Sequence, residues 1–272
     1  MKKYTSYPYI IWSLIFILFP LLLILYFSFL KSPMDPSFTG EHYKRFLDPV
    51  YINILLRSMK LAAICTIICF ILGYPLAYIL TTVSRKKQSL LLLLLMLPMW
   101  MNFLLRTYAW MAILGKNGFI NSLLGFFGLP TVKLLYTNGA VLLGMVYNYL
   151  PFMVIPIFTV LNKMDKSLLE AASDLGASKL QTFTKIIFPL SLPGVFSGVT
   201  MVFMPAVTTF VISRLLGGGQ YMLIGNLIEQ QYLAVGNWNF GSAISIVMII
   251  IILITMAFMS KADKEEGGGT LW

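Results

Sequence analysis

Apolar positions along the chain gather into six long runs separated by short polar stretches, at about 10–30, 60–83, 90–114, 140–161, 190–212 and 242–259. About 20 apolar residues at 1.5 Å rise per residue cross a hydrocarbon core. Each run is therefore a predicted span. The first follows Lys2 and Lys3 and ends on the bulky Tyr26-Phe27-Ser28-Phe29-Leu30. A cleaved leader would carry a shorter apolar core followed by small residues, so this run reads as an uncleaved first span. The second run stops at Arg85-Lys86-Lys87, and the third opens almost at once with six leucines, Leu90 to Leu95. That pattern predicts a two-helix hairpin with a tight basic turn. The whole chain, 1–272, reads as one all-α membrane domain with a glycine-rich tail, Gly267-Gly268-Gly269, at its end.

The basic turn also predicts orientation, because short cytoplasmic loops are enriched in Lys and Arg. Six spans with 85–87 inside place both termini and the segment 162–189 in the cytoplasm. Pro20, Pro75, Pro98, Pro151, Pro156 and Pro205 fall inside runs. Each removes a helix hydrogen bond, and in a membrane the freed carbonyl must face protein or a water-filled cavity. Ordinary kinks and a polar path near the midplane both fit these positions.

Composition sharpens the class. The chain is 58% hydrophobic and 11% charged, with a mean hydropathy of +0.84, against about 25% charged residues in soluble domains. Its net charge of +10 is spread over short loops, which is topological charge and not a nucleic-acid interface. Cys65 and Cys69 lie one helical turn apart in an apolar run. They read as packing residues and not as a disulfide or metal pair.

The acidic residues exclude more than they support. Asp35, Glu41, Asp48, Asp165, Glu170, Asp174, Glu229, Asp263, Glu265 and Glu266 all fall between or beyond the runs. Proton relays use ionisable groups within the membrane, and the sole histidine, His42, is also outside the runs. This weakens proton-coupled transport, while a sodium-coupled carrier using carbonyls stays open. Arg106 is the one charge well inside a run, where it is expected to snorkel outward. No G-x-x-x-x-G-K-[ST] loop is present, and Gly217-Gly218-Gly219 is followed by Gln220 and Tyr221 with no lysine. The chain is therefore expected to bind no cofactor or metal and to hydrolyse nothing itself.

The segment 162–189 carries the strongest local signal. Asp165 and Ser167 are good helix caps, Leu168, Leu169, Ala172 and Leu175 share an apolar face, and Gly176 permits a sharp break. A second short helix is expected from Ser178 to Ile187, with Pro189 and Pro193 marking the start of the fifth span. The residues alone allow an interfacial amphipathic loop or a docking elbow. Glu170-Ala171-Ala172, Gly176, Ile186 and Pro189 together resemble the EAA loop of binding-protein-dependent ABC importer permeases, with Phe188 where leucine is commoner.

That resemblance implies the type I permease fold with a cytoplasmic coupling helix, in a bacterial inner membrane. It implies a heterodimer with a second permease, two copies of a separate ATPase that hold ATP and Mg, and an extracytoplasmic binding protein. Glu170 and Gly176 would dock into the ATPase cleft, with Ala171 and Ala172 giving a close-fitting face. Leu72-Gly73-Tyr74-Pro75, Tyr149-Leu150-Pro151-Phe152-Met153, 169–183, Leu216-Gly217-Gly218 and Leu223-Ile224-Gly225-Asn226 are similar to the first, B-type subunit of spermidine/putrescine permeases.

A polyamine could be held by aromatic faces through cation–π attraction. Trp100, Tyr108, Trp110, Tyr147, Tyr149 and Trp238, with Glu229, are the candidate path residues, although such aromatics also suit an interfacial belt. Import of another solute (an iron complex, thiamine or a phosphonate), ion-coupled carriage and a membrane scaffold are the competing readings.

Overall fold

The structure is a computed structural model describing residues 7–32 and 35–266. Lys2, Lys3 and the Gly267-Gly268-Gly269 tail lie outside the described residues. Helix α1 (Tyr7–Phe29) leads into a small antiparallel pair, β1 (Leu30–Ser32) and β2 (Asp35–Phe38). Helices α2 (Glu41–Phe46), α3 (Pro49–Thr82), α4 (Arg85–Trp100), α5 (Phe103–Leu114), α6 (Phe119–Phe126) and α7 (Asn138–Lys163) follow. The remainder comprises α8 (Lys166–Asp174), α9 (Lys179–Thr208), α10 (Val211–Leu216), α11 (Ile224–Gln230) and α12 (Trp238–Glu266). Helices α1, α3, α7, α9 and the stretch Trp238–Ala257 are long and apolar enough to cross a membrane, and α4 with α5–α6 makes a sixth if that bent pair is one span.

The bundle is built on α3, α7 and α9. Their backbones come close because glycines face Met153, which is fully buried at the centre. A Cβ on Gly198 would stand 2.9 Å from the Met153 sulfur, one on Gly73 3.0 Å from its Cγ, and one on Gly194 2.9 Å from the Pro156 carbonyl oxygen. Small residues four apart on one helix face allow this approach. Cys65 and Cys69 are free thiols buried in the same core, as packing residues should be. Helix α12 packs on α1 and α9, and Asn239 Nδ2 donates to the Phe27 carbonyl at 2.9 Å.

The third run departs from its expectation. It is not one helix over 90–114 but bends by 93° between Arg85–Trp100 and Phe103–Phe126. Pro98 weakens the last turn of α4, and Asn102 Oδ1 then caps α5 by accepting from the Leu104 and Leu105 amides at 2.8 and 3.4 Å. A hydropathy count cannot register the break, because proline and asparagine are single residues in a leucine-rich stretch. The second helix likewise begins at Pro49, well ahead of residue 60, because Asp48 caps it through the Val50 amide at 3.0 Å.

Proline shapes the backbone in another way. A π turn, Leu14–Leu18, precedes Pro20, and a second, Phe183–Ile187, precedes Pro189. Proline lacks the N–H and its ring crowds the carbonyl four residues back. One extra residue in the turn relieves that crowding while the helix continues. The expected separate helix from Ser178 to Ile187 is therefore absent as such: it is the foot of α9, continuous with the fifth span.

Candidate functional site

The segment between α7 and α9 forms an elbow whose geometry follows residue by residue from its sequence. Asp165 caps α8 by accepting from the Ser167 amide at 3.0 Å. That bond to the Ser167 backbone holds its carboxyl below the usual carboxylate range. The helix ends in a Schellman arrangement: Gly176 takes φ +78°, its amide bonds the Ser173 carbonyl at 2.9 Å, and the Ala177 amide bonds the Ala172 carbonyl at 3.0 Å. Only a residue without Cβ adopts that backbone at no cost. Ser178 then opens α9 with a reciprocal capping box, Gln181 N to Ser178 Oγ at 3.3 Å and Ser178 N to Gln181 Oε1 at 2.8 Å. Both sides of the joint are thus closed by short local bonds.

Within this elbow Glu170, Ala171 and Gly176 are exposed, Ile186 is half-buried and Pro189 is exposed. Ala172 turns inward and is 6% exposed, so of the two alanines only Ala171 is presented at the surface. Leu169 packs on the core with Met164, while Leu175 stands 88% exposed and Leu180 72% exposed. Leu175 thus leaves the apolar face expected of it: as the residue after the last helical turn, it points away from the body. The base of the elbow is tied to the basic turn by Gln88, whose Nε2 donates to Asn162 Oδ1 and to the Leu80 carbonyl, each at 3.0 Å.

The seven candidate path residues do not converge on one cavity within this chain. Trp110 and Tyr147 meet edge to face at 5.4 Å. Tyr149 is buried and donates to the Pro205 carbonyl at 3.2 Å. Trp238 is exposed and touches Tyr232 at 5.9 Å, and Trp100 and Tyr108 stand exposed on α4 and α5. Glu229 pairs with Arg214 at 2.8 Å and lines a cavity of about 370 Å³ with Tyr221, Asn226, Gln230 and Leu233. The other six aromatics do not line that cavity.

That cavity belongs to a hairpin of α10 and α11, at the far end of the bundle from the elbow. Asn226 is its pivot. It accepts from Ser213 Oγ and the Leu223 amide, and its Nδ2 donates to the Phe210 carbonyl at 2.8 Å. The hairpin hangs on the core by the Ile224 amide, which donates to Ser58 Oγ on α3 at 2.8 Å. Sequence reasoning left Arg214, Asn226 and Ser58 unassigned. Their partners are distant in sequence, and only the glycines between α10 and α11 marked the turn.

Arg106 is largely covered: it is 9% exposed, its guanidinium lies 5.9 Å from the Phe103 ring, and among the described residues its Nε has no hydrogen-bond partner. The bend at Met101–Asn102 starts α5 afresh, and a side chain on a helix's first turns leans back toward its start.

With this geometry in hand, comparison with known proteins places the chain. The family model described as "Binding-protein-dependent transport system inner membrane component" matches residues 3–264. The chain is 41% identical over 259 residues to the spermidine/putrescine transport system permease protein PotB of Escherichia coli K12, covering 93% of this chain and 94% of that protein. The PotB of Haemophilus influenzae is 38% identical over 260 residues, covering 93% and 91%. In fold, the chain superposes with TM-score 0.81 on a chain of a bacterial ABC transporter involved in the import of the acidic polysaccharide alginate. That likeness is at 18% identity and covers 95% of this chain and 93% of the other. The chain belongs to the inner membrane component family of binding-protein-dependent transport systems, has the type I ABC importer permease fold, and is a non-catalytic membrane subunit.

Proposed function

We propose, starting from that membership, that this chain is one permease of an ATP-driven polyamine importer taking spermidine or putrescine across the inner membrane. The observation that carries the substrate is the 41% identity to a spermidine/putrescine permease along nearly the whole length of both chains. The chain acts as a single membrane domain beside a second permease. Two copies of an ATPase supply ATP and Mg, and an extracytoplasmic binding protein delivers the cargo. The elbow docks into the ATPase through Glu170 and Gly176, with Ala171 outward and Ile186 and Pro189 setting its arm. The basic turn at 85–87 and the elbow lie on the cytoplasmic side with both termini. Two features support this side: Gln88 bonds Asn162 directly, which puts turn and elbow at one end, and the turn carries three consecutive cations.

Trp100, Tyr108, Trp110, Tyr147, Tyr149, Glu229 and Trp238 remain the proposed path residues. Because they are dispersed in one chain, the path lies against the second permease, which supplies the rest of its wall. Uptake of labelled putrescine by the complete importer, with its second permease, ATPase and binding protein in vesicles, tests the proposal. Saturating spermidine is expected to abolish uptake. Failure of either polyamine to compete overturns the substrate assignment, and uptake without ATP that follows an ion gradient overturns the energy source.

A further inference from the structure

The elbow's second arm is continuous with the fifth span, so a push on the elbow arrives at the foot of α9 with no joint to absorb it. Midway along the bundle the close packing of Gly73 and Gly198 on Met153 already resists sliding of α9 past α3. At the foot of α9, two of its rings also interlock with two rings of α3. Phe183 meets Tyr74 at 5.8 Å and Tyr78 at 6.0 Å, both edge to face, and Phe188 meets Tyr74 at 5.7 Å. Edge-to-face pairs prefer one relative placement, unlike aliphatic contacts. A hydrogen bond adds to them. Ser191 Oγ donates to the Phe188 carbonyl at 2.7 Å, so the buried Tyr74 hydroxyl donates to Ser191 Oγ, at 2.8 Å.

Helix α3 runs without proline from Tyr74 to Ser58, about 24 Å at 1.5 Å per residue. Its single internal proline, Pro75, follows Tyr74 directly, and the hydrogen bond it removes is the one to the Ile71 carbonyl, at the clasp end of this stretch. At the far end Ser58 Oγ accepts the amide of Ile224, the first residue of α11 in the hairpin that carries the Arg214–Glu229 pair. The rod therefore joins the elbow's arm to the walls of the opposite cavity.

We propose that Tyr74, Phe183 and Ser191 form a clasp that makes α3 move with α9, and that Ser58 passes this motion to the α10–α11 hairpin. These are positioning residues for transport: they touch neither nucleotide nor cargo. The proposal rests on the reading of the elbow as the ATPase dock and adds the route by which its motion crosses the chain.

The test uses the complete importer in vesicles, with Leu233, exposed on the cavity rim, replaced by cysteine and labelled with an environment-sensitive fluorophore. In the otherwise unaltered chain, ATP is expected to change the label's emission. Phe183→Ala is expected to keep the ATPase bound, to lower cargo moved per ATP hydrolysed roughly fivefold or more, and to abolish the emission change. Phe183→Tyr is expected to restore both. Ser58→Ala is expected to abolish the emission change while leaving ATP hydrolysis intact.

Uptake and hydrolysis falling in proportion, or an unchanged emission response in Phe183→Ala, would overturn the clasp. If Phe183→Ala fails to assemble, Tyr74→Phe and Ser191→Ala decide. Each removes one hydroxyl and is expected to lower the transport-to-hydrolysis ratio about two- to threefold, with the double variant no worse than either; unchanged ratios overturn the proposal. Failure of the elbow reading would look different: the ATPase would remain bound and productive after substitution of Glu170 and Gly176.

Discussion

The elbow at 162–189 and the hairpin at 209–237 are both helix–turn–helix pieces turned by glycines in the left-handed region, yet they dispose of their surfaces in opposite ways. In the elbow, bonds close the backbone locally while Glu170, Leu175 and Leu180 are left facing outward. In the hairpin, polar side chains bond to other parts of the chain: Asn226 holds both limbs, Arg214 takes up Glu229, and Ser58 anchors the whole to the core. A piece that keeps its shape but leaves its side chains unspent suits a surface completed by another molecule. A piece that spends them on itself suits a part that opens and recloses within one chain.

Three substitutions, one double-mutant cycle and one titration would break or sharpen that contrast. The largest effect is expected where both pieces are rooted. Gly198→Leu overpacks the Met153 contact, at a cost of about 1–3 kcal/mol, and should lower protein recovered from membranes and its melting temperature, disturbing elbow and hairpin alike. Gly176→Val forces a β-branched residue to φ +78°, a cost of about 1–2 kcal/mol or about a five- to thirtyfold loss of competent elbow. ATPase co-purification should fall while the hairpin stays intact, as limited proteolysis at 217–219 would report.

Ser178→Ala removes the capping box, worth about 1 kcal/mol, and should weaken ATPase binding about fivefold. A double-mutant cycle on Arg214→Ala and Glu229→Ala should give about 0.2–1 kcal/mol of coupling, shrinking with added salt, since Arg214 is 65% exposed. A coupling near zero at low salt would remove the pair from the account of a self-contained hairpin.

The smallest effect is a titration. The Asp165 carboxyl is held below its usual value of 3.8 by the Ser167 amide. A depressed carboxylate contributes its full cap above the usual value and loses it as pH falls through the depressed one. Hydrogen exchange at the Ser167 amide should therefore show constant protection at neutral and mildly acidic pH, and loss only under strongly acidic conditions. Asp165→Ala should remove that pH step.

What could be read from the sequence divides along the same line. The elbow was legible because its chemistry is local: Asp165 to Ser167, Ser178 to Gln181, and Gly176 at the end of its helix are all within a few residues. The spans were legible from length and apolarity. The broken third run was not, since Pro98 and Asn102 act on backbone direction and leave hydropathy unchanged. The hairpin, the clasp and the Ser58 anchor were not legible either. Their bonds join residues 15, 117 and 166 positions apart, and periodicity carries no record of which distant faces meet.

The π turn before Pro189 has a geometric consequence of its own. One additional residue in a helix of 3.6 residues per turn rotates everything beyond it by about 100°. The turn at Phe183–Ile187 therefore sets the angular phase between the elbow and the bundle, as a spline fixes a gear on its shaft. Deleting one residue there, with Pro189 replaced by alanine, would leave a straight, uninterrupted helix with every cap intact. It would nonetheless aim Glu170 about a quarter-turn away from its present bearing.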